Sequence, residues 1–350
     1  MGLVIDDDSR LEVFVRALHT TLVIVSILST LSLSTACGSL RDGASSTTDT
    51  SDASDQADIS DPSDAADATE VTDPSDLDDP TESDDPSDAS DCDRDSDGDL
   101  AEECGGTDCD DSNALVSGQR FEVCDFLDNN CDERINEGLD CTIYAHSSTE
   151  LYKLDPFTTD LPLYVGEVPG IVDFDTSSGG ELFGISSSTL YEYASSDRSW
   201  ASVGSTFTTN GFANGFAIDQ VGLAYISAGF NLYSIDLSSG EASLVGNFGE
   251  TIRSSGDLVI NKDNSLFMTS RLPDETTDTL VLLNPATGTG TVVGDTGFDR
   301  IFGLAFAWGN LFGFTDDGEV LLIDPYTAET ELLVQHEGYV FYGSASSPER

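Results

Sequence analysis

Basic residues are scarce: 13 Lys and Arg stand against 66 Asp and Glu over 350 residues, for a formal net charge of −53. Such a chain cannot neutralise a row of phosphates, which excludes nucleic-acid binding, and it has no basic patch with which to hold an anionic bilayer. Histidine is nearly missing, with three residues, and no Gly-x-Ser-x-Gly elbow occurs. No nucleophile, base and orienting residue therefore suggest themselves as a set. Apolar runs are short: Thr20 to Ala36 is below the usual length of a membrane span and has that of a signal-peptide core. What is abundant is carboxylate, which implies a hydrated, self-repelling surface that depends on cations wherever charges crowd.

Arg10, Arg16 and His19 precede the apolar run, which ends in small residues before Cys37. The ending Leu33-Ser34-Thr35-Ala36-Cys37-Gly38 resembles a bacterial lipobox, with the usual Leu one position early. The resemblance implies cleavage before Cys37 and lipidation of that residue, with residues 1–36 as the signal peptide. An ordinary signal peptide with an incidental cysteine is the alternative. Asp6, Asp7, Asp8 and Glu12 put negative charge where a signal peptide carries positive charge, so translation is expected to start later, at Val15.

From Asp49 to Asp91 every third residue is acidic, and those between are mostly Ser, Ala, Thr and Pro. Burial cannot offset the conformational entropy of such a segment, so residues 37–91 are expected to form a disordered linker. A period of three also matches the polyproline II turn, which spaces the carboxylates roughly 9 Å apart along one edge. At that separation they stiffen the chain without chelating anything. The expected role is reach.

Residues 92–141 hold six of the seven cysteines: Cys92, Cys104, Cys109, Cys124, Cys131 and Cys141. An even set in an exported chain reads as three disulfides, with connectivity open. The run Asp93-x-Asp95-x-Asp97-Gly98-Asp99 places oxygen donors at alternate positions, as an EF-hand loop does, but Cys104 stands where the closing Glu belongs. The segment looks more like a thrombospondin type 3 repeat, in which Asp-rich loops and disulfides enclose calcium. Gly106-Thr107-Asp108-Cys109-Asp110-Asp111 and the run from Cys124 to Gly138 also resemble the Asp/Cys metal-binding motif of bacterial surface lipoproteins and secreted proteins, written GDCDD and then CDGxDNDCDGxxDEG. That resemblance implies a first cluster of Asp108, Asp110 and Asp111 and a second of Asp125, Asp128, Asn129, Asp132 and Glu137. Phe126 and Glu133 replace Gly, and Asn130 and Asn136 replace Asp. Loss of Gly is expected to disfavour left-handed turns, and Asn to weaken the second cluster. Calcium is the expected ion. Zinc, weighed for Cys-x4-Cys and Cys-x6-Cys, fits poorly with oxidised cysteines among hard oxygen donors.

Residues 142–350 carry a repeat of about forty residues. Leu151-Tyr152, Leu190-Tyr191, Leu232-Tyr233, Leu280-Val281 and Val320-Leu321 each begin a strand. Val165-Gly166, Val203-Gly204, Val245-Gly246 and Val293-Gly294 close the next one. Four short strands per repeat is the β-propeller blade. Ile143-Tyr144-Ala145 reads as a second strand and Tyr339 to Gly343 as the missing first, so the ends share a blade. The fold class is all-β: a five-bladed propeller behind a small calcium-binding, disulfide-rich module and an acidic linker. Six blades are the alternative if the Leu272-Pro273-Asp274-Glu275 insertion hides strands.

His146 and His336 read as loop or strand-edge residues rather than ligands. Asp173, Asp175, Asp219 and Asp257 lie near inner-strand starts, where aspartates either bond turn amides, the commoner case, or line an axial cation site. Trp200 and Trp308 are expected between blades. The function expected is binding or adhesion at the bacterial surface, by an outer-membrane lipoprotein that presents its propeller to a protein or glycan. A propeller-type hydrolase or lyase of the cell envelope is the alternative.

Overall fold

A computed structural model describes residues 92–350. The expected signal peptide, Cys37 and the acidic linker lie outside the described residues. Five four-stranded antiparallel sheets form five blades around an axis. Blade 1 contains β1 (Ile143–His146), β2 (Glu150–Leu154) and β3 (Leu163–Glu167). Blade 2 contains β4 (Asp173–Thr176), β5 (Leu182–Ile185), β6 (Leu190–Ala194) and β7 (Ser199–Val203). Blade 3 follows with β8 (Ala213–Ile218), β9 (Ala224–Ala228), β10 (Asn231–Ile235) and β11 (Ala242–Asn247). Blade 4 has β12 (Ser254–Ile260), β13 (Leu266–Ser270), β14 (Thr279–Leu283) and β15 (Gly290–Asp295). Blade 5 has β16 (Ile301–Ala307), β17 (Asn310–Thr315), β18 (Glu319–Ile323) and β19 (Thr330–Gln335), and β20 (Gly343–Ala345) returns to pair with β1. Closure by the last strand removes the sheet edge that an open ring would expose. The Leu272–Glu275 insertion is a turn between β13 and β14 and adds no blade.

The closing strand lies further along than its apolar pattern implies. Only Gly343 of the expected Tyr339–Gly343 segment is in β20; Phe341 is instead fully buried against Phe314, with ring centroids 5.7 Å apart. Apolarity there marks core packing, not strand pairing.

The repeated Leu-Tyr and Val-Gly pairs have a common geometry. Leu151, Leu232 and Leu280 on the third strands stand opposite Gly166, Gly246 and Gly294 on the fourth, each beside a β-bulge. A side chain on Gly246 would sit 1.9 Å from the Thr287 carbonyl oxygen, and one on Gly294 would sit 2.6 Å from that of Thr327. In both cases the obstacle is the outer turn of the next blade. The glycine of the repeat is thus a docking seat for its neighbour.

Apolar packing repeats this blade-to-blade logic. Each buried cluster spans two adjacent blades: Ile185 and Leu190 with Phe216 and Ile226, or Leu232 and Phe248 with Leu258 and Met268. Trp200 donates its indole N–H to the Glu167 carbonyl across the blade 1/2 boundary, 3.1 Å away. Trp308 packs against Phe157 across the boundary between blades 5 and 1.

The module of residues 92–141 has almost no regular structure, with one short 3-10 turn at Glu102–Cys104 and a single bridge between Ala101 and Asp108. Its few buried apolar groups include Ala101, Val116, Cys124 and Cys141. Disulfides join Cys92 to Cys104, Cys109 to Cys131 and Cys124 to Cys141, with Cα separations of 5.9, 5.9 and 5.5 Å. Crosslinks take the place of a core too small to hold itself. They also point to folding outside the cytoplasm.

Candidate metal centre

Two acidic loops that are separate in sequence meet in space. Asp93, Asp95 and Asp97 bring carboxylate oxygens within 4.8 Å of one another. The amide of Arg94 donates to Asp111 Oδ1 at 2.9 Å, which ties the second loop to the first. Asp95 and Asp108 each accept an amide two residues ahead on Oδ1, from Asp97 at 3.1 Å and Asp110 at 2.9 Å. This Asx geometry folds each loop back on itself and leaves the other oxygen free. Asp93 Oδ1, Asp95 Oδ2, Asp108 Oδ2 and Asp111 Oδ2 are all buried without a hydrogen-bond partner. Burial pushes the Asp108 carboxyl up, and the charges of Asp95, Asp97 and Asp111 add to that push. Asp93, Asp95 and Asp97 offer a set of oxygen donors suited to a hard divalent cation, and the free oxygens of Asp108 and Asp111 stand on the adjoining loop.

Asp97 and its neighbours also hold the loops together. Asp99 is occupied by the Leu100 amide at 3.0 Å and the Thr107 hydroxyl at 2.5 Å, and so staples the loop shut. Asp97 accepts the Asp99 amide and pairs with Arg120 at 3.4 Å. Asp110 caps Ser112.

In the second cluster most oxygens are already used. Asp125 accepts the Leu127 amide at 2.8 Å and the Asn129 side chain at 3.3 Å, while Asn129 itself is buried and bonds Val123 and Leu115. Asp128 accepts the amides of Asp132 and Glu133, and Asp132 pairs with Arg134 at 2.6 Å. Only Asn130 Oδ1 and Glu137 Oε2 remain buried and unpartnered. The expectation that losing Gly would exclude a left-handed turn fails at Glu133, whose φ is 69°, and Asn136 adopts φ 59°. Two amides bonded to Asp128 and Glu122 hold those turns in place. Glu122, which no motif marks, bridges the amides of Asn130 and Asn136 and is the hub of this half. Phe126, the other departure from Gly, stacks edge-on against Phe157 of the propeller at 4.7 Å.

On the axis, Asp173, Asp175 and Asp257 are fully buried on inner strands. Asp173 accepts the Phe216 amide at 2.5 Å and Asp257 that of Leu304 at 2.6 Å, so each ties its inner strand to the next blade. Burial pushes Asp257 up to about 7 and Asp173 well above the carboxylate range, with the adjacent Asp257 charge adding to the latter shift. Asp175 pairs with Arg350 at 2.9 Å, and this guanidinium also reaches the Ile260 carbonyl at 3.0 Å. Asp219 instead caps its own turn by accepting the Val221 and Leu223 amides. His146 and His336 are core residues rather than edge residues, and burial lowers His146 to about 4.

A family model named Cu-binding MopE, described as "Putative metal-binding motif", matches residues 108–137. Its span joins the second acidic loop of the first cluster to the whole of the second cluster. No curated protein matches the chain. Among solved structures, the chain is similar to one in a nidogen/laminin complex, at 12% identity over 59% of this chain and 81% of that one, with a TM-score of 0.42. A protein of unknown function from Bacteroides thetaiotaomicron is similar at 12% identity over 59% and 61%, with a TM-score of 0.44. TolB from Acinetobacter baumannii is similar at 12% over 59% and 66%, with a TM-score of 0.39. No ligand or activity follows from such likenesses.

Proposed function

We infer that this is an exported, lipid-anchored protein of the bacterial cell envelope. It presents a non-enzymatic β-propeller for binding or adhesion on a calcium-stabilised, disulfide-linked stalk. The observation that carries this reading is the gathering of the Asp93, Asp95 and Asp97 carboxylates within 4.8 Å, with unpartnered oxygens of Asp108 and Asp111 on the adjoining loop, in a module without a core of its own. Without a cation their mutual repulsion opposes the fold; with one, the same oxygens become its support. Calcium suits the donors better than copper or zinc, because every free atom is a carboxylate oxygen and the cysteines are consumed in disulfides. Contact of Phe126 with Phe157 supports a stalk that is seated on the propeller rather than strung from it. Export agrees with the disulfides, and the lipid anchor rests on Cys37 and the residues around it.

Chelation tests the module. Removing calcium is expected to cost about 3 kcal/mol where the ion had been held at a hundred times its Kd, and to open residues 92–141 to protease. Elemental analysis of the purified protein should find calcium. Zinc or copper in its place, with no response to a calcium chelator, would defeat the assignment. Mass spectrometry of the mature amino terminus tests the anchor, since a diacylglyceryl group on Cys37 is expected there.

A further inference from the structure

At one mouth of the axis the starts of the inner strands enclose a cup of about 510 Å³. Ile171 and Val172 form part of its wall, and Phe212, Phe302 and Tyr342 stand around it. Phe212 is 60% exposed and Tyr342 37%, while the rings of Phe302 and Tyr342 lie 5.9 Å apart. No Lys or Arg lines the cup. Val172 and Gly256 belong to its lining, and the next residues inward, Asp173 and Asp257, are the buried carboxyl pair. Two carboxyls side by side in a dry interior hold at most one charge unless a cation joins them.

The hydrogen-bond inventory points the same way. Asn214 Oδ1 in the lining is a buried acceptor without a protein donor, and so are Asp173 Oδ1 and His146 Nε2, which lie outside the lining. His146 faces the Ser147 carbonyl through Nδ1 at 2.6 Å, so Nδ1 carries the proton and Nε2 a lone pair. A proton on Asp173 can serve one of these acceptors, and the others lack a donor. The guanidinium of Arg350 is engaged by Asp175 and by backbone carbonyls, and that of Arg271 by Asp278, to which Ser255 of the lining donates.

We propose that the cup is a binding site for a small alkylammonium ion. Ring faces attract an organic cation, the aliphatic wall accepts its alkyl chain, Asn214 Oδ1 can accept from its N–H, and the carboxyl pair beyond the lining favours positive charge. A sugar fits less well, because Ser148, Asn214, Ser255 and the Tyr342 hydroxyl are the polar side-chain groups of the lining and the Ser255 hydroxyl is already bonded to Asp278 at 2.7 Å. An anion would meet the buried carboxyls. The proposal rests on the reading of the propeller as a binding module and names its ligand class.

Titration calorimetry of the full chain with n-butylammonium and with n-butanol tests it. The cation is expected to bind at least about tenfold more tightly, and Phe212→Ala and Tyr342→Ala, both at exposed positions, to weaken it about threefold to tenfold each. Affinity should rise severalfold from pH 6 to 8 as Asp257 loses its proton, because the amine stays charged, His146 stays neutral and Asp175 stays paired with Arg350. Asp257→Asn should flatten that rise. Equal binding of n-butanol, no binding of either, or cation binding unchanged in the Phe212/Tyr342 double variant would overturn the proposal. Preference for an acetyl-lysine-amide side chain over the free amine would overturn the choice of a free ligand. Capture of a protein or glycan by a propeller that ignores n-butylammonium would sink this inference alone and leave the binding function standing.

Discussion

The module and the propeller solve the same problem by opposite means. Residues 92–141 bury few apolar groups and depend on three crosslinks and a cluster of carboxylates, whereas the propeller interleaves five apolar clusters and uses its buried carboxylates as interblade clasps. Charge in the module is concentrated where solvent and cations can reach it; in the propeller it is buried and neutralised by a proton or by Arg350. The two regions should therefore respond in opposite directions to the same treatment.

The largest separation is expected on removing a crosslink. Cys124 and Cys141 close the module next to the start of β1, and replacing both by Ser should destabilise it by roughly 2–5 kcal/mol. The propeller transition, followed by far-UV circular dichroism, should move little. A single merged transition that shifts as a whole would show that the two regions fold as one unit.

Within the propeller, the repeat glycines sharpen the comparison because their surroundings differ. Gly246→Ala forces a methyl into the Thr287 backbone and should cost roughly 2–3 kcal/mol by denaturant unfolding. Gly166 holds the same place in blade 1, yet its nearest neighbour is the Tyr193 hydroxyl at 3.6 Å. Gly166→Ala should be close to neutral.

These glycines also show what could be read from the residues alone. Leu-Tyr and Val-Gly pairs are local and recur, so strand order, blade count and ring closure were legible. Position within the closing blade was not, because Phe341 is apolar for packing and Gly343 is small for space, and neither signals pairing. The Asp-x-Asp-x-Asp run marked its own loop, but nothing in it marks Asp111 as its partner across the Arg94 amide. Disulfide connectivity and the role of Glu122 were hidden for the same reason, being products of the folded path. Asp99 and Asp128 look like ligands by residue type, and the amides and hydroxyl they also hold are visible only in the folded chain.

pH should divide the two regions next. Asp257 has a folded pKa of about 7, above its ordinary value of 3.8, so between these limits the native state holds a proton that the unfolded chain has released. Stability from this group is therefore full at low pH and is lost as pH rises through 7. Asp257→Asn keeps an acceptor for the Leu304 amide and removes the titration. Its unfolding free energy should exceed that of the parent at pH 8.5, by roughly 2 kcal/mol, and the gain should vanish by pH 5. If a cation holds the carboxylates of the module, that region should run the other way, since acid would release the ion. A gain that persists at pH 5 would mean that packing, not charge, sets the cost of this site.

The smallest effect tests whether the two regions are joined or merely adjacent. Phe126 occupies a motif position where Gly is preferred, and its ring meets Phe157, which in turn contacts Trp308 and Phe312 at 5.7 and 5.8 Å. An edge-to-face pair of this kind contributes about 1 kcal/mol. Because Phe126 is 42% exposed, Phe126→Gly removes that contact without opening a core. If the aromatic chain couples stalk to propeller, the variant should unfold in two transitions more widely spaced than those of the parent, and calcium should cease to raise the upper one. If calcium still stabilises the propeller in the variant, the Lys153–Asp140 ion pair at 3.5 Å, 29% and 73% exposed, is the remaining described contact of this kind. Such an exposed pair contributes well under 1 kcal/mol, too little to carry the coupling, and the covalent link through Cys141 would have to carry it instead.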